Sequence, residues 1–137
     1  MLFAAKFALK MSNLPIRLGA MKRIRNSYVG VDQGDETLFS DFEEDGEMWT
    51  GAGTRERRKL IKFSSKYRVP PAVQVALSLW DMDNTANIRA EVVAEEVTNL
   101  GFHLVFRTWG DSRVARVRMS WLAIGELAFV DDWVIDD

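Results

Sequence analysis

The feature that most constrains this chain is a two-residue alternation that recurs in three separate runs. Val73, Val75, Leu77 and Leu79 alternate with Ala72, Gln74, Ala76 and Ser78. Phe102, Leu104 and Phe106 alternate with His103, Val105 and Arg107, and Val117, Met119, Trp121 and Ala123 with Arg116, Arg118 and Ser120. Successive strand residues point to opposite faces, so each run reads as a strand with one face on a core. The stretch Ile88 to Val97 contains good helix formers, yet Ile88, Ala90, Val92 and Ala94 alternate with Arg89, Glu91 and Glu95. Lying between two clear strands, it is read as a strand too. Leu38–Phe42 and Arg57–Phe63 are expected to add two more.

Turn chemistry separates the runs. Pro70-Pro71 forces an extended entry into the Val73 strand. Asp81 to Asn87 is a loop of side chains that bond their own backbone. Thr98-Asn99-Leu100-Gly101 and Gly110-Asp111-Ser112 read as hairpin turns. Strands at such short intervals predict an all-β, antiparallel sandwich. At 137 residues the chain fits one domain with a substantial core.

Charge divides the chain. Residues 1–31 carry six basic groups (Lys6, Lys10, Arg17, Lys22, Arg23, Arg25) and no acid. Residues 1–27 are therefore expected to be a basic arm or an over-called start, with Met21 as the true or an equally good beginning. Lys6 and Lys10 interrupt the apolar run that a secretory signal needs, and no stretch reaches the length of a membrane helix. The body is expected over 28–126, followed by an acidic tail, 127–137. A net charge of −2 argues against a nucleic-acid partner.

Catalytic material is scarce. With no cysteine and one histidine, His103, there is neither a thiol nucleophile nor a multi-histidine metal site. The Asp81–Asn87 loop lacks the glycine and terminal glutamate of a calcium-binding EF-hand loop, so Asx turns explain it. The acids Glu43, Glu44, Asp45 and Glu47 read as a solvated face rather than a glycosidase pair. Gly51-Ala52-Gly53 has no following Lys-Ser/Thr and is no phosphate loop. No cofactor, no metal and no enzymatic activity are expected. Arg116 and Arg118 share an exposed face, where Asp111 or the acidic tail is expected to neutralise them.

Strand parity points to a surface site. If Phe102, Leu104 and Phe106 face the core, then His103, Val105, Arg107 and Trp109 face outward, and Arg89 and Glu91 lie opposite Ile88, Ala90 and Val92. An exposed tryptophan beside hydrogen-bonding side chains suits a sugar, whose C–H face the ring covers. It equally suits a subunit interface, where Trp and Arg are enriched.

Thr54-Arg55-Glu56, Phe63, Tyr67, Pro70-Pro71, Asp81, Asn87-Ile88-Arg89, Gly101-Phe102, Thr108-Trp109 and Ser120-Trp121 fall in the order and spacing of the H-type lectins, which this chain resembles from about Gly51 to Gly125. The resemblance implies a six-stranded antiparallel β-sandwich that assembles as a homotrimer, with a sugar held between protomers. It implies that Arg89 hydrogen-bonds the sugar and Trp109 packs on it. The family's sugar-binding aspartate falls at Ala52. A histidine of the snail lectin falls at Gly110, and a neighbouring protomer's tyrosine at Ala115. The Thr50–Gly53 backbone is expected to serve where the aspartate is missing, giving a site of Thr50, Gly51, Ala52, Arg89, Trp109 and Gly110. The segment LFSDFEEDGEMWTGAGTRERR is similar to bacterial lectin-domain proteins encoded with phage-like gene transfer agents, in which that aspartate is often absent. This implies a head-spike component on the particle surface that binds capsular polysaccharide, with spike or capsid proteins as neighbours. The alternative is a trimerisation module without a ligand.

Overall fold

The computed structural model describes residues 21–128; segments 1–20 and 129–137, which hold most of the basic arm and of the acidic tail, lie outside the described residues. Among the described residues six strands form: β1 (Val29–Phe39), β2 (Arg55–Lys62), β3 (Ala72–Met82), β4 (Glu91–Glu95), β5 (Gly101–Thr108) and β6 (Val114–Glu126). Two one-turn helices, α1 (Asp41–Glu44) and α2 (Glu47–Thr50), link β1 to β2. The strands make two three-stranded antiparallel sheets, ordered β1-β6-β3 and β2-β5-β4. They pack as a β-sandwich.

The alternation in β5 and β6 sets the core. Phe102, Leu104, Phe106, Val117, Met119 and Ala123 are fully buried, and Trp121 nearly so. Phe63, Tyr67, Phe102 and Trp121 form an aromatic cluster with ring centroids 5.0–6.1 Å apart, a spacing at which tilted and edge contacts add to area burial. The buried Tyr67 hydroxyl lies 3.1 Å from the Gly30 carbonyl and 3.3 Å from that of Ala123, so its one proton bonds within β1 and β6. Val105 points outward, as its parity requires, yet is fully buried. In register it sits between Arg58 of β2 and Val93 of β4.

Three expectations need correction. The run Leu38–Phe42 is not a strand throughout: β1 ends at Phe39 and α1 begins at Asp41. Asp41 is buried and accepts the Met48 N–H and the Arg57 guanidinium, both at 2.9 Å. These bonds fold the acidic segment back on itself instead of extending it.

The strand expected from Ile88 begins only at Glu91, and Ile88 is 59% exposed. The Arg89 N–H donates to Ser112 Oγ, and the Arg89 carbonyl accepts from Thr108 Oγ1 at 2.6 Å. Side chains thus take the backbone groups a ladder would use, and the parity argument fails for Ile88 and Ala90.

Asp111 is not the acid beside the arginines of β6, and the acids of the tail, the other candidates, lie outside the described residues. Arg116 pairs with Asp81 at 3.0 Å and Arg118 approaches Asp35 at 3.8 Å, while Asp111 pairs elsewhere.

Candidate carbohydrate-binding site

Arg55, in the Thr-Arg-Glu landmark, organises one end of the sandwich. Only 5% exposed, it donates to five carbonyls: Gly53, Glu47, Met48, Gly110 and Ser112, at 2.7–3.3 Å. A buried guanidinium is tolerable when its donors are satisfied, and its rigid fork of five N–H groups suits this cradle. One side chain thereby ties α2, the 51–53 loop and the β5–β6 turn together. The Gly53 N–H adds a bond to the Gly110 carbonyl at 2.9 Å.

Thr50, Gly51 and Ala52 leave α2 along this cradle. The Thr50 hydroxyl turns inward to the Gly46 carbonyl at 3.0 Å. A Cβ at Gly51 would stand 2.5 Å from the Glu47 carbonyl oxygen, so only glycine fits this close approach. The N–H groups of Gly51 and Gly53 are both taken, by Glu47 and Gly110. The loop's glycine amides therefore hold the fold together, which narrows the expectation that they serve a ligand.

Arg89 reaches the same end of the molecule, though not by strand parity. Ser112 Oγ accepts the Arg89 N–H and donates to the Asn87 carbonyl through a short hydrogen bond, and Thr108 Oγ1 donates to the Arg89 carbonyl. These bonds lay segment 87–89 along the β5–β6 turn. The Arg89 guanidinium then lies over Gly110, where a Cβ would come 3.0 Å from Nη1, and Gly110 itself has φ +69°. Arg89 Nη1 pairs with Asp111 Oδ1 at 2.6 Å, and the Asn87 carboxamide donates to both Asp111 oxygens at 3.3 Å. Arg89 holds the Asp111 carboxyl below the usual carboxylate range, helped by Asn87.

Trp109 precedes Gly110 and is 42% exposed at the end of β5. The structure thus brings Arg89, Gly110 and the Thr50–Gly53 loop to one end of the sandwich, with Trp109 in the same turn. Ala115 lies in β6 and is buried. Asp111 and Ser112, which hold Arg89, were not among the residues expected here, and the Asx and Ser content of their turn was their signal; Asn87 was read as part of a family landmark.

Elsewhere the charges are structural. Arg107 bonds Glu56, Glu91 and Glu95 on the outer face of β2-β5-β4, and His103 Nδ1 lies 2.9 Å from Glu96. Arg113 covers the Trp49 ring at 4.2 Å and pairs with Asp83. Among the described residues no group of His, Asp and Glu has the arrangement of a metal site, and no helix is long and apolar enough to cross a membrane.

Residues 58–124 match the H-type lectin domain family. A protein of Fuscovulum blasticum named "ATP synthase subunits region ORF 7" is 50% identical over 121 residues, spanning 88% of this chain and 99% of that protein. The chain belongs to the H-type lectin domain family. A discoidin-1 polypeptide of Dictyostelium discoideum is 32% identical over 75 residues, 54% of this chain and 30% of that one. The structure of discoidin II from the same organism superposes with a TM-score of 0.64 at 23% identity, covering 80% of this chain and 41% of that one. The fold is thus of a carbohydrate-binding type, and this chain spans less than half the length of the discoidins it matches.

Proposed function

We propose that the protein is a non-enzymatic lectin that binds a cell-surface polysaccharide through Arg89 and Trp109. The observation that carries this reading is the convergence of Arg89, the 108–112 turn and the 50–53 loop on the buried Arg55. The cradle holds a fork of donors beside an exposed indole without help from a ligand. A hydroxyl or ring oxygen accepts from Arg89, and Trp109 covers the sugar's C–H face. So shallow a site binds one sugar weakly, at about millimolar Kd, and gains strength from several copies acting on one polymer.

The copies are supplied by a homotrimer. On the outer face of β1-β6-β3, Val31, Ile124 and Ala72 form one row across the sheet, and Gln33, Leu122 and Gln74 the next. Val31 is 64% exposed and Ile124 38%. Exposed apolar rows of this kind favour burial against another protomer. The similarity of residues 38–58 to gene-transfer-agent lectin proteins supports a place on the surface of a phage-like particle, with capsular polysaccharide as the target. The test is a glycan array read beside the oligomeric state for the wild type and Trp109→Ala. Loss of glycan signal with the oligomer intact supports the lectin. Loss of the oligomer, or a wild type with no glycan signal, favours a trimerisation module without ligand, and an unchanged signal contradicts the site at Trp109.

A further inference from the structure

We infer that Asp111 is the hydrogen-bond acceptor of the sugar site, and that the Arg89–Asp111 pair selects uncharged sugars with adjacent hydroxyls over acidic ones. The inference rests on the lectin reading above and goes beyond it by assigning the acceptor and the ligand's charge.

A sugar site needs both polarities, because each hydroxyl is at once a donor and an acceptor. Arg89 only donates, and Trp109 supplies one indole N–H. At the 50–53 loop the position from which an acid was expected is Ala52, the Thr50 hydroxyl faces its own helix, and the Gly53 carbonyl is taken by Arg55. The carboxylate that Arg89 holds is Asp111, whose side chain is 57% exposed. It follows the residue whose carbonyl holds the Gly53 N–H, so its backbone is strapped to the 50–53 loop.

Its orientation is fixed. Arg89 Nη1 takes one oxygen at 2.6 Å, the Asn87 carboxamide reaches both at 3.3 Å, and the Asn87 backbone N–H lies 3.5 Å from the second. Asn87 and Arg89 are in turn clamped to Ser112 and Thr108. Two carboxylate oxygens offer about four lone-pair sites against three donor groups, the Arg89 guanidinium, the Asn87 carboxamide and the Asn87 backbone N–H, so acceptor capacity for one hydroxyl remains. Gly110 keeps the ground between the two groups open, since a side chain there would meet Arg89.

This arrangement has consequences for the ligand. A guanidinium and a carboxylate side by side present a donor and an acceptor a few ångströms apart, matching the two oxygens of a vicinal diol. One hydroxyl accepts from Arg89 while its neighbour donates to Asp111. The pair is neutral overall, so a uronic acid or other anionic sugar gains nothing from Arg89 without displacing Asp111, and meets repulsion from it. Asp111 stays ionised well into acid because Arg89 favours its charged form, so the selection holds at neutral pH.

The experiment compares the full-length wild type with Asp111→Asn and Trp109→Ala on an array carrying neutral oligosaccharides and uronic-acid oligosaccharides, with melting and sedimentation as controls. Asp111→Asn keeps the shape and the bond to Arg89 but removes the charge. The expected result is wild-type binding to neutral glycans and little to uronic acids. Asp111→Asn should weaken neutral binding at least tenfold, the loss of one charge-assisted bond, and shift preference toward uronic acids. Asp111→Glu, which restores charge with an added methylene, should recover part of the neutral signal even if Asp111→Asn is poorly folded. Trp109-dependent binding that Asp111→Asn leaves unchanged, or a wild-type preference for uronic acids, overturns this inference and leaves the lectin reading standing. A wild type that binds no glycan overturns both.

Discussion

Arg89 was legible in the sequence as a residue type and as part of a family pattern, but strand parity is the wrong reason for its placement. Parity puts it on a strand, whereas two hydroxyls, Thr108 and Ser112, hold its backbone off the ladder. Such bonds join residues about twenty positions apart, and no local pattern announces them. The exposure of Trp109 was legible from parity, because Thr108, the last residue of β5, is buried and Trp109 follows it. Asp111 was matched to the wrong arginines for the same reason that Arg89 was misplaced: ion pairs follow tertiary contacts. Its lowered titration leads to a prediction. Arg89 stabilises the ionised form of Asp111, the Thr85 backbone N–H that of Asp83, and Arg107 that of Glu95. Folded values below the unfolded ones add stability that is complete above the ordinary carboxylate range and lost as pH falls through the lowered values. The thermal midpoint should therefore drop as pH falls below about 4. Replacing the three acids together by Asn, Asn and Gln should flatten that drop. A midpoint in the triple variant that follows the wild type through acid would contradict the assignment.

At the scale of elements, the strands with one clean buried face were read within a few residues, and the segments that bend toward the site were not. The alternation in β3, β5 and β6 is dictated by the core, so it appears in the sequence. Segment 40–50 carries two helical turns whose cause is Asp41 bonding residues 48 and 57, and segment 88–90 is irregular because of Thr108 and Ser112. Both departures flank the site. Arg55 joins these elements, and its role was visible only as a landmark residue. Arg55→Ala should destabilise the fold by about 3 kcal/mol, since it leaves buried carbonyls without donors. Arg55→Lys, with three donors instead of a planar fork, should recover only part of that loss. Chemical denaturation measures both; a change under about 0.5 kcal/mol for Arg55→Ala, the range of ordinary surface substitutions, would show that the cradle is not what holds this end together.

For the whole molecule, the two-sheet sandwich follows from the strand count and the two buried faces, while the pairing order β1-β6-β3 and β2-β5-β4 does not. The first strand pairs with the last, a contact across nearly the whole described chain that turn signals cannot reveal. That order gathers Val31, Ile124 and Ala72 on one outer face. A homotrimer through this face predicts a sedimenting species near three times 15.6 kDa, and Ile124→Asp should shift it toward monomer. A wild type that stays monomeric at all concentrations would contradict the assembly. The central claim is that Trp109 and Arg89 form a sugar site, and the five tryptophans make it directly testable. Titrating the best array glycan into protein labelled with nitrogen-15 at its tryptophan indoles should shift the Trp109 resonance and leave the buried Trp121 in place; a ligand that binds with Trp109 unmoved would contradict the account.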